Sequence, residues 1–400
     1  MTTQILYTDI RSRALPGEGY DGVVRISAGG YYGTGVLLYD GRAVLTAAHL
    51  FDNINTSSAT VYFETVGTSS TLVSDTILIH PGYDARNENY DLALIWLSSA
   101  PTDAERYTLY RQSDEISQTF TAVGYGRHGS GEAGVDEIYN VAPLRLKAQN
   151  KFDVDGADLK FNLGSIMGWA PVNGVQLMAD FDDGTIQHDA LGELMGRWDR
   201  GIGIYEGLIA PGDSGGPAFI GDQVAGIASY VTNLGTGYVH PDIDNTLNSS
   251  FGEVAGWQSV STQQQWIDQN IRAHYIDPPQ TPLEVQKSIV EGNSGTQSVY
   301  FMLTFTGVRS DPAEWLSVDF STRDGSAVGG EDYIETHGRL VLYPDENQAL
   351  IPVEVIGDTV SEMDETFYLD VFNPVGGSFG EGITMLTAVR TIIDNDSLWV

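Results

Sequence analysis

The sequence contains no cysteine among its 400 residues. Disulfide bridges and thiolate metal sites are therefore excluded, so stability must come from core burial and from metals bound by other ligands. Long apolar runs are also lacking, and no segment is predicted to span or insert into a bilayer. The first nineteen residues contain no apolar stretch of the kind found in signal peptides.

Basic residues are scarce, because 20 Lys and Arg stand against 54 Asp and Glu, for a formal net charge of -34. Polyanions repel such a chain, so we expect neither nucleic acid nor an anionic membrane surface as a partner. Most of the acids are expected to be solvated surface charges. Carboxylates are also the oxygen ligands that hard cations such as Ca²⁺ prefer.

Short apolar runs separated by glycine and polar clusters dominate the first part of the chain, between residues 20 and 100. This pattern predicts strands of a β-barrel or sandwich. The stretch 127–206 is less regular and rich in Gly and Asp, and we interpret it as extended surface loops. An apolar stripe at helical spacing predicts a helix over residues 261–275.

Three prolines in the segment 276–282 end this helix and predict an extended linker. The chain is accordingly divided into a first domain at 1–275 and a second domain at 283–400. The second domain has longer alternating strands, with Val299 and Phe301 on one face, and is predicted to be an immunoglobulin-like β-sandwich. The fold class is therefore all-β, with two domains.

Three fragments of the first domain carry the residue types of nucleophilic catalysis. His49 ends LTAAH at 45–49, Asp91 lies in YDLAL at 90–94, and Ser214 lies in PGDSGGP at 211–217. Amide hydrolysis needs a nucleophile, a base, a group that orients the base, and donors for the oxyanion. Any one fragment alone has a structural explanation, but the three together in this order favour a catalytic site.

Over residues 20–275 the sequence resembles the chymotrypsin/trypsin family of serine proteases, on the fragments just quoted. The resemblance implies a double β-barrel, a protein or peptide substrate, and catalysis without a cofactor. It also implies that Ser214 attacks the scissile carbonyl, that His49 transfers the proton, and that Asp91 orients His49. The N–H groups of Gly212 and Ser214 are then expected to form the oxyanion hole.

Asp213 occupies the position that, in this family, pairs with the ammonium group of a newly cut N-terminus. The sequence has no Ile-Val-Gly-Gly segment, and counting back from the first strand places the equivalent end between Asp9 and Ala14. Two explanations stay open. Either a cut near Ile10 or after Arg13 creates the terminus, or another cation or hydrogen bond satisfies Asp213.

The primary specificity pocket can also be predicted from the resemblance. Leu208 lies six residues before the nucleophile, at the expected base of the pocket, and Ser229, Val231 and Ala255 are expected to line its walls. The base offers no carboxylate for a basic side chain, and a valine wall narrows the slot. We therefore expect small or medium apolar side chains at the cleaved residue.

Residues 283–396 resemble the Calx-β module, a calcium-binding β-sandwich. The fragments that carry the match are VEGNSG at 290–295, TRDGSA at 322–327, GEDY at 330–333, IGD at 356–358, EMDETF at 362–367 and IDND at 393–396. The resemblance implies a Ca²⁺ site formed by acidic side chains from separate loops, namely Glu291, Asp332, Asp358, Glu362, Glu365, Asp394 and Asp396. Gly357 and Asn395 stand where exchanger modules have carboxylates. The alternative is that these acids are solvated loop charges.

Taken together, these features favour a secreted, bacterial, monomeric serine endopeptidase with an accessory calcium module and an unknown export route. The alternative is a catalytically silent protein of the same architecture that binds surface or matrix partners in a calcium-dependent way. Retention of all three triad residues favours the enzyme.

Overall fold

The computed structural model describes residues 1–52, 54, 56–136 and 143–396. Two sequence predictions extend outside this range, at residues 137–142 of the predicted loops and 397–400 of the predicted second domain. The chain divides into two compact units: Met1–Ser98 with Asp103–Gln264, and Ser99–Thr102 with Gln265–Val400. Strands dominate both units, as the all-β prediction requires.

The strands of the first unit are β1 (Thr2–Thr3), β2 (Val23–Ala28), β3 (Tyr31–Leu37), β4 (Ala43–Thr46), β5 (Thr60–Thr65), β6 (Thr68–Ile79), β7 (Ala93–Leu97), β8 (Thr119–Gly124), β9 (Gly129–Ser130), β10 (Gly134–Val135), β11 (Leu146–Lys151), β12 (Val154–Asp155), β13 (Gln176–Asp180), β14 (Gly207–Leu208), β15 (Pro217–Ile220), β16 (Gln223–Thr232) and β17 (Val254–Ser259). Its helices are α1 (Gly156–Leu163) and α2 (Ala190–Met195), with 3-10 turns at Ile10–Ser12, Ala48–Phe51, Gly164–Ile166 and Ser261–Gln263.

Six strands of the first unit close a barrel in the order β2-β3-β4-β7-β6-β5. Alternate side chains point into it, so that Val24, Ile26, Val44, Phe63 and Ile95 form a buried core. The short apolar runs predicted as strands between residues 20 and 100 coincide with these barrel strands. Each strand of a closed barrel has one face directed into the core, and apolar side chains fill it. The strand predictions for this region are confirmed.

A second, seven-stranded sheet follows in the order β11-β8-β15-β16-β17-β13-β12. Its core is aromatic: Phe120 stacks on Phe152 with ring centroids 4.1 Å apart, and Trp257 meets both rings edge-on. The four short strands β10-β9-β1-β14 form a separate sheet that contains the start of the chain. Both the barrel and the second sheet carry parts of the candidate active site.

The interpretation of residues 127–206 as extended surface loops is wrong. The described residues of this stretch include β9 to β13 and helices α1 and α2. Leu159, Met167, Met178 and Leu191 are buried there in a common apolar cluster. The many Gly and Asp residues suggested loops. The elements themselves are too short for their buried residues to produce a recognisable hydrophobic periodicity.

The second unit contains α3 (Gln264–Ala273), apart from its first residue, and strands β18 (Ser288–Val290), β19 (Thr296–Thr304), β20 (Leu316–Asp324), β21 (His337–Leu342), β22 (Gln348–Ile356), β23 (Glu365–Val375) and β24 (Met385–Ile393). Five strands pair as β18-β24-β23-β20-β21 and two as β19-β22. The core between them includes Val299 and Phe301, the alternating face predicted from the sequence. The predicted fold class, a trypsin-like barrel domain and a Calx-β sandwich, is confirmed.

Helix α3 is held inside the second unit by polar contacts. Tyr343 donates a hydrogen bond to Asp268 at 2.7 Å, and Arg272 pairs with Glu346 at 2.6 Å. The division at 275/276 and the linker at 276–282 remain predictions. Among the described residues, no helix is long and apolar enough to cross a membrane.

Candidate functional site

The pairing of β4 with β7 brings His49 and Asp91 together. The strands are antiparallel, with Thr46 opposite Ala93, so the end of β4 lies beside the start of β7. His49 follows Thr46 in a 3-10 turn, and Asp91 precedes Ala93 by two residues. His49 Nδ1 lies 2.7 Å from Asp91 Oδ2, and the backbone N–H of His49 donates to Asp91 Oδ1 at 2.8 Å. His49 and Asp91, the predicted base and its predicted orienting carboxylate, are therefore in contact.

Asp91 is completely buried, and both of its carboxylate oxygens accept hydrogen bonds. Two of these bonds are the contacts with His49 described above. The third bond comes from Ser229, whose Oγ donates to Asp91 Oδ2 at 2.5 Å. Gln258 in turn donates to the Ser229 hydroxyl at 3.4 Å. A buried carboxylate with this many donors is held in one orientation. Sequence reasoning placed Ser229 only in the specificity pocket and missed this contact, which only the fold reveals.

The imidazole of His49 responds to two opposing effects. Burial favours the neutral ring, but the hydrogen bond and negative charge of Asp91 outweigh burial and raise the pKa of His49 above 6.5. Glu88, which the sequence did not single out, lies nearby. Burial and the charge of Asp91 raise the pKa of Glu88 to about 7. The charge of Asp91 therefore shapes the protonation of both neighbours.

Ser214 is held next to the His49 segment by the loop between β14 and β15. Its carbonyl accepts a hydrogen bond from the Thr34 N–H at 2.8 Å. Gly215, with φ of +83°, packs so closely that a Cβ would lie 2.1 Å from Thr46 Oγ1 and 2.8 Å from the Ala47 nitrogen. Only glycine permits this approach. The nucleophile loop therefore packs directly against the residues that lead into His49.

The predicted oxyanion donors lie in the same loop. The carbonyl of Pro211 accepts from the Arg127 N–H at 2.9 Å, and the carbonyl of Gly212 accepts from Thr34 Oγ1 at 2.8 Å. Because N–H and C=O point in opposite directions across a trans peptide, the Gly212 N–H is directed away from Arg127. These bonds fix the Pro211–Gly212 and Gly212–Asp213 peptide planes, which precede Ser214 in the loop. The assignment of the Gly212 and Ser214 amides to an oxyanion hole remains a prediction.

Asp213 forms a buried ion pair with the ammonium group of Met1, at 2.8 Å from Asp213 Oδ2. The backbone N–H groups of Gly126 and Ala210 donate to the same carboxylate at 2.8 and 2.9 Å. The Met1 ammonium also donates to the Arg127 carbonyl. Burial lowers the pKa of the Met1 amine below 8.0, and the charge of Asp213 opposes this shift. In this structure the partner of Asp213 is the first residue.

The first residues of the chain follow a path that differs from the one assumed when we counted back from β2 to predict the terminal residue that pairs with Asp213. Strand β1 pairs with β14, with Thr2 opposite Leu208, and with β9 on its other side. This pairing carries Met1 to Asp213, whereas Ile10–Ser12 forms a 3-10 turn farther along the chain. The ammonium therefore belongs to Met1 in this chain, and not to a residue between Asp9 and Ala14.

A cleft of about 550 Å³ opens beside Ser214. Two predicted wall residues, Ser229 and Val231, line it, together with apolar residues such as Ile209 and Leu247. Leu208 and Ala255, the other predicted pocket residues, are buried in the core of the second sheet. Neither of these two residues is among those that line the cleft. Among the described residues that line the cleft, none is a carboxylate.

The second unit brings six of the seven predicted calcium ligands into two groups. In each group, one ligand atom of each residue lies within 4.8 Å of the others: Glu291, Asp394 and Asp396 in one, and Asp332, Glu362 and Glu365 in the other. Asp358, the seventh, is close enough to both groups to help raise the pKa values of Glu291 and Glu362, in addition to burial. The loops therefore converge as the resemblance implied.

The chemistry of these groups fits a hard cation. Glu291 Oε1 and Asp396 Oδ2 are buried, and within the described part of the chain neither has a hydrogen-bond partner. Burial and four neighbouring carboxylates raise the pKa of Glu291 to about 7. Carboxylate oxygens that lack donors and repel one another are compensated when a divalent cation binds. Acidic side chains of this kind would hold Ca²⁺.

Two residues that depart from the exchanger pattern have structural roles. A Cβ at Gly357 would lie 2.7 Å from the carbonyl oxygens of Glu291 and Gly292, so no side chain fits there. Asn395 accepts from the Gly292 N–H at 3.0 Å and donates to Asn293 at 3.1 Å. The loop that carries Glu291 is thus fixed by neutral contacts where the exchangers have carboxylates.

Comparison with known proteins identifies both regions. The model of the Trypsin family matches residues 12–150, and that of the Calx-beta domain matches residues 282–396. Hypodermin-B of Hypoderma lineatum is 24% identical over 261 residues, which cover 64% of this chain and 84% of that protein. This relative extends the similarity beyond residue 150.

The second region is similar to proteins of another kind. Sodium/calcium exchanger Calx of Drosophila melanogaster is 35% identical over 91 residues, covering 22% of this chain and 9% of the exchanger. Sodium/calcium exchanger 2 of Rattus norvegicus is 36% identical over 92 residues, covering 20% and 10%. The chain thus spans about a tenth of the exchangers that it matches. It contains a Trypsin domain followed by a Calx-beta domain.

Proposed function

We propose that this protein is a serine endopeptidase that hydrolyses peptide bonds through an acyl-enzyme, with Ser214, His49 and Asp91 as its triad. The contact of His49 Nδ1 with the buried Asp91 carboxylate carries this proposal, because it leaves the opposite ring nitrogen, Nε2, to serve the nucleophile. The Trypsin-family match and the close packing of Gly215 on Thr46 support it.

In the proposed reaction, His49 removes the proton of Ser214 Oγ as the oxygen attacks the scissile carbonyl. The imidazolium formed is stabilised by Asp91, which Ser229 and the His49 backbone hold in place. Collapse of the tetrahedral intermediate expels the amine, which takes its proton from His49. Water, which loses a proton to His49, then attacks the acyl-enzyme; the bond to Ser214 Oγ breaks, the carboxylic acid product leaves, and His49 returns the proton to Oγ.

The Met1 ammonium supports an assembled oxyanion loop, since its partner Asp213 directly precedes Ser214. We propose that a free amine at Met1 is the activating group. Any segment ahead of Met1 would have to be removed before the ion pair could form. This proposal replaces a cut near Ile10 or after Arg13.

The substrate is proposed to be a protein or peptide with a small or medium apolar side chain at the cleaved residue. The apolar lining of the cleft supports this preference. Arg127 also lines the cleft. A substrate with an acidic side chain at the cleaved residue is therefore the appropriate comparison. A series of peptides that differ only at that residue, with Val, Leu, Lys and Glu, would separate these possibilities through kcat/KM.

The Calx-beta domain is proposed to bind Ca²⁺ through the two carboxylate groups and to stabilise the protein, not to take part in catalysis. The relatives that match this domain are named as sodium/calcium exchangers, and the unpartnered oxygens of Glu291 and Asp396 support an ion. Export from a bacterial cell as a monomer is proposed on the acidic, cysteine-free composition together with the two domain types.

Covalent labelling with a fluorophosphonate probe tests the enzyme proposal, with Ser214→Ala as the control. We expect labelling of Ser214 in the chain with a free Met1 amine and none in the variant. Absence of labelling in every state, with calcium and with a free Met1, would instead favour the alternative, a calcium-dependent binding protein without activity.

A further inference from the structure

The Trypsin domain contains a group of buried carboxylates that the proposed catalytic reaction does not use. Asp180 ends β13, Asp182 follows two residues later, and Asp189 directly precedes α2. Asp180 and Asp182 are 2% exposed and Asp189 is fully buried. One oxygen of each lies within 4.8 Å of the others. Carboxylates rarely collect in a protein interior without a compensating charge.

Asp182 has the least compensation of the three. Its Oδ1 is buried and has no hydrogen-bond partner among the described residues. Asp180 accepts from the Leu191 N–H at 2.7 Å, and Asp189 accepts from Gly192 at 2.6 Å and Asp199 at 3.1 Å. Asp182 is therefore deeply buried with one unpartnered oxygen, whereas backbone amides already hold Asp180 and Asp189 in place.

The charges of Arg200 and Lys151 act on Asp189, but further carboxylates surround the group. Lys151 contacts Asp153 and Asp199, so its ammonium is already engaged by two other carboxylates. Glu206 lies close by, where its Oε1 accepts from the Asp182 N–H at 2.7 Å. Burial, followed by the charges of Glu206 and Asp189, raises the pKa of Asp182 to about 9.

We propose that Asp180, Asp182 and Asp189 form a binding site for a calcium-class divalent cation within the Trypsin domain. The ligands are all oxygens, which selects hard cations. Oxygens on opposite sides of a Ca²⁺ ion lie about 5 Å apart, because each Ca–O distance is about 2.5 Å. Three ligand atoms that all lie within 4.8 Å of one another are therefore close enough to contact one such ion. The site is separate from the Calx-beta ligands and does not depend on whether Ser214 is a nucleophile.

The position of the site suggests what the ion does. Asp182 and Asp189 lie in the segment that leads from β13 to β14. Glu206, the residue directly before β14, accepts a hydrogen bond from the Asp182 N–H. Strand β14 pairs with β1, whose preceding residue is Met1. A bound cation would therefore hold the segment that supports the Met1–Asp213 ion pair.

The test uses the full chain, in which four of the proposed calcium ligands of the Calx-beta domain are replaced by amides. Asp394→Asn, Asp396→Asn, Glu362→Gln and Glu365→Gln remove two carboxylates from each module group. Equilibrium dialysis against up to 1 mM Ca²⁺, a concentration typical of extracellular sites, then counts the ions per chain. Adding Asp182→Asn should reduce the count by one. The matched control, Asp183→Asn, changes the adjacent and more exposed carboxylate and should leave the count unchanged.

Equal ion counts with and without Asp182→Asn would overturn the proposal, as would a background chain that binds no calcium. Near-ultraviolet circular dichroism checks that each variant is folded. Hydrogen–deuterium exchange on the background chain gives a second measurement that needs no change in the cluster. Calcium should slow exchange in residues 180–206, and no change in exchange there would contradict the site.

Discussion

The carboxylates of the candidate active site and those of the Calx-beta domain are compensated in opposite ways. Asp91 and Asp213 are buried, and each accepts hydrogen bonds from several protein donors. Glu291 and Asp396 present oxygens without a partner among the described residues. A carboxylate whose donors belong to the protein is oriented at all times, whereas one without donors needs an ion or a proton.

This difference separates two uses of the same functional group. In the proposed reaction, Asp91 keeps His49 in one orientation, and the donors to Asp91 belong to the fold. In the proposed calcium site, the carboxylates must instead remain available to the ion. The buried group at Asp180, Asp182 and Asp189 lies between these cases. It is almost as buried as Asp91, and backbone amides donate to Asp180 and Asp189, but Asp182 Oδ1 has no partner among the described residues.

The largest expected effect is that of Asp91→Asn. The carboxylate offers two acceptor oxygens to three donors, whereas the amide has one oxygen and an NH2 donor. The NH2 then faces either the His49 backbone N–H or His49 Nδ1 with the Ser229 hydroxyl, and the required imidazole tautomer is no longer enforced. We expect kcat to fall by about 10⁴-fold, measured with a peptide substrate. The double variant with Ser214→Ala should be no worse than Ser214→Ala alone, because the residues act as a unit. A loss below tenfold would contradict the triad.

The next effect is that of residues added ahead of Met1, which remove the ammonium that pairs with Asp213. The oxyanion loop then loses its support, and we expect the rate of fluorophosphonate labelling to fall by about 10²- to 10³-fold. Removal of the added residues by a second protease, to regenerate the free Met1 amine, is the control and should restore labelling. Undiminished labelling of the extended chain would disprove the activating role of Met1.

Loss of calcium from the Calx-beta domain should affect stability and leave the triad chemistry intact. At a calcium concentration 100 times the dissociation constant, the module should gain about 2.7 kcal/mol in its free energy of unfolding. The variant Asp394→Asn/Asp396→Asn should lose most of this gain in thermal unfolding, since it removes two of the three ligands in one group. Glu381→Gln changes an exposed carboxylate outside both groups and should keep the gain. Equal calcium responses in the two variants would contradict the predicted ligands.

The smallest effect concerns the pH at which His49 loses its proton. Asp91 raises the pKa of His49, so its NMR titration in Ser214→Ala should have a midpoint above 6.5, and Asp91→Asn should lower it. The resulting stabilisation is fully present below pH 6.5 and is lost as pH rises through the pKa of the folded state. Activity follows the opposite direction and increases over that range. Identical midpoints in the two chains would show that Asp91 does not control His49.

Much of the architecture could be predicted because it is encoded locally. The barrel strands follow from alternating apolar residues between turns, and the His49, Asp91 and Ser214 fragments carry their chemistry within a few residues each. The acids of the second domain were predicted as ligands from the resemblance to the Calx-β module, which the sequence fragments of its loops carry. Residues 127–206 escaped prediction because their elements are short and their core is shared among distant segments.

The sequence by itself determined the fold class and the types of residue at the candidate sites. Only the tertiary structure decided which of them meet: Met1 with Asp213, Ser229 with Asp91, and Asp182 with Asp180 and Asp189. These pairs are chosen by strand pairing and packing between segments that lie far apart in the chain, as β1 with β14 shows. A local pattern specifies what a side chain can do, but long-range packing specifies its partner.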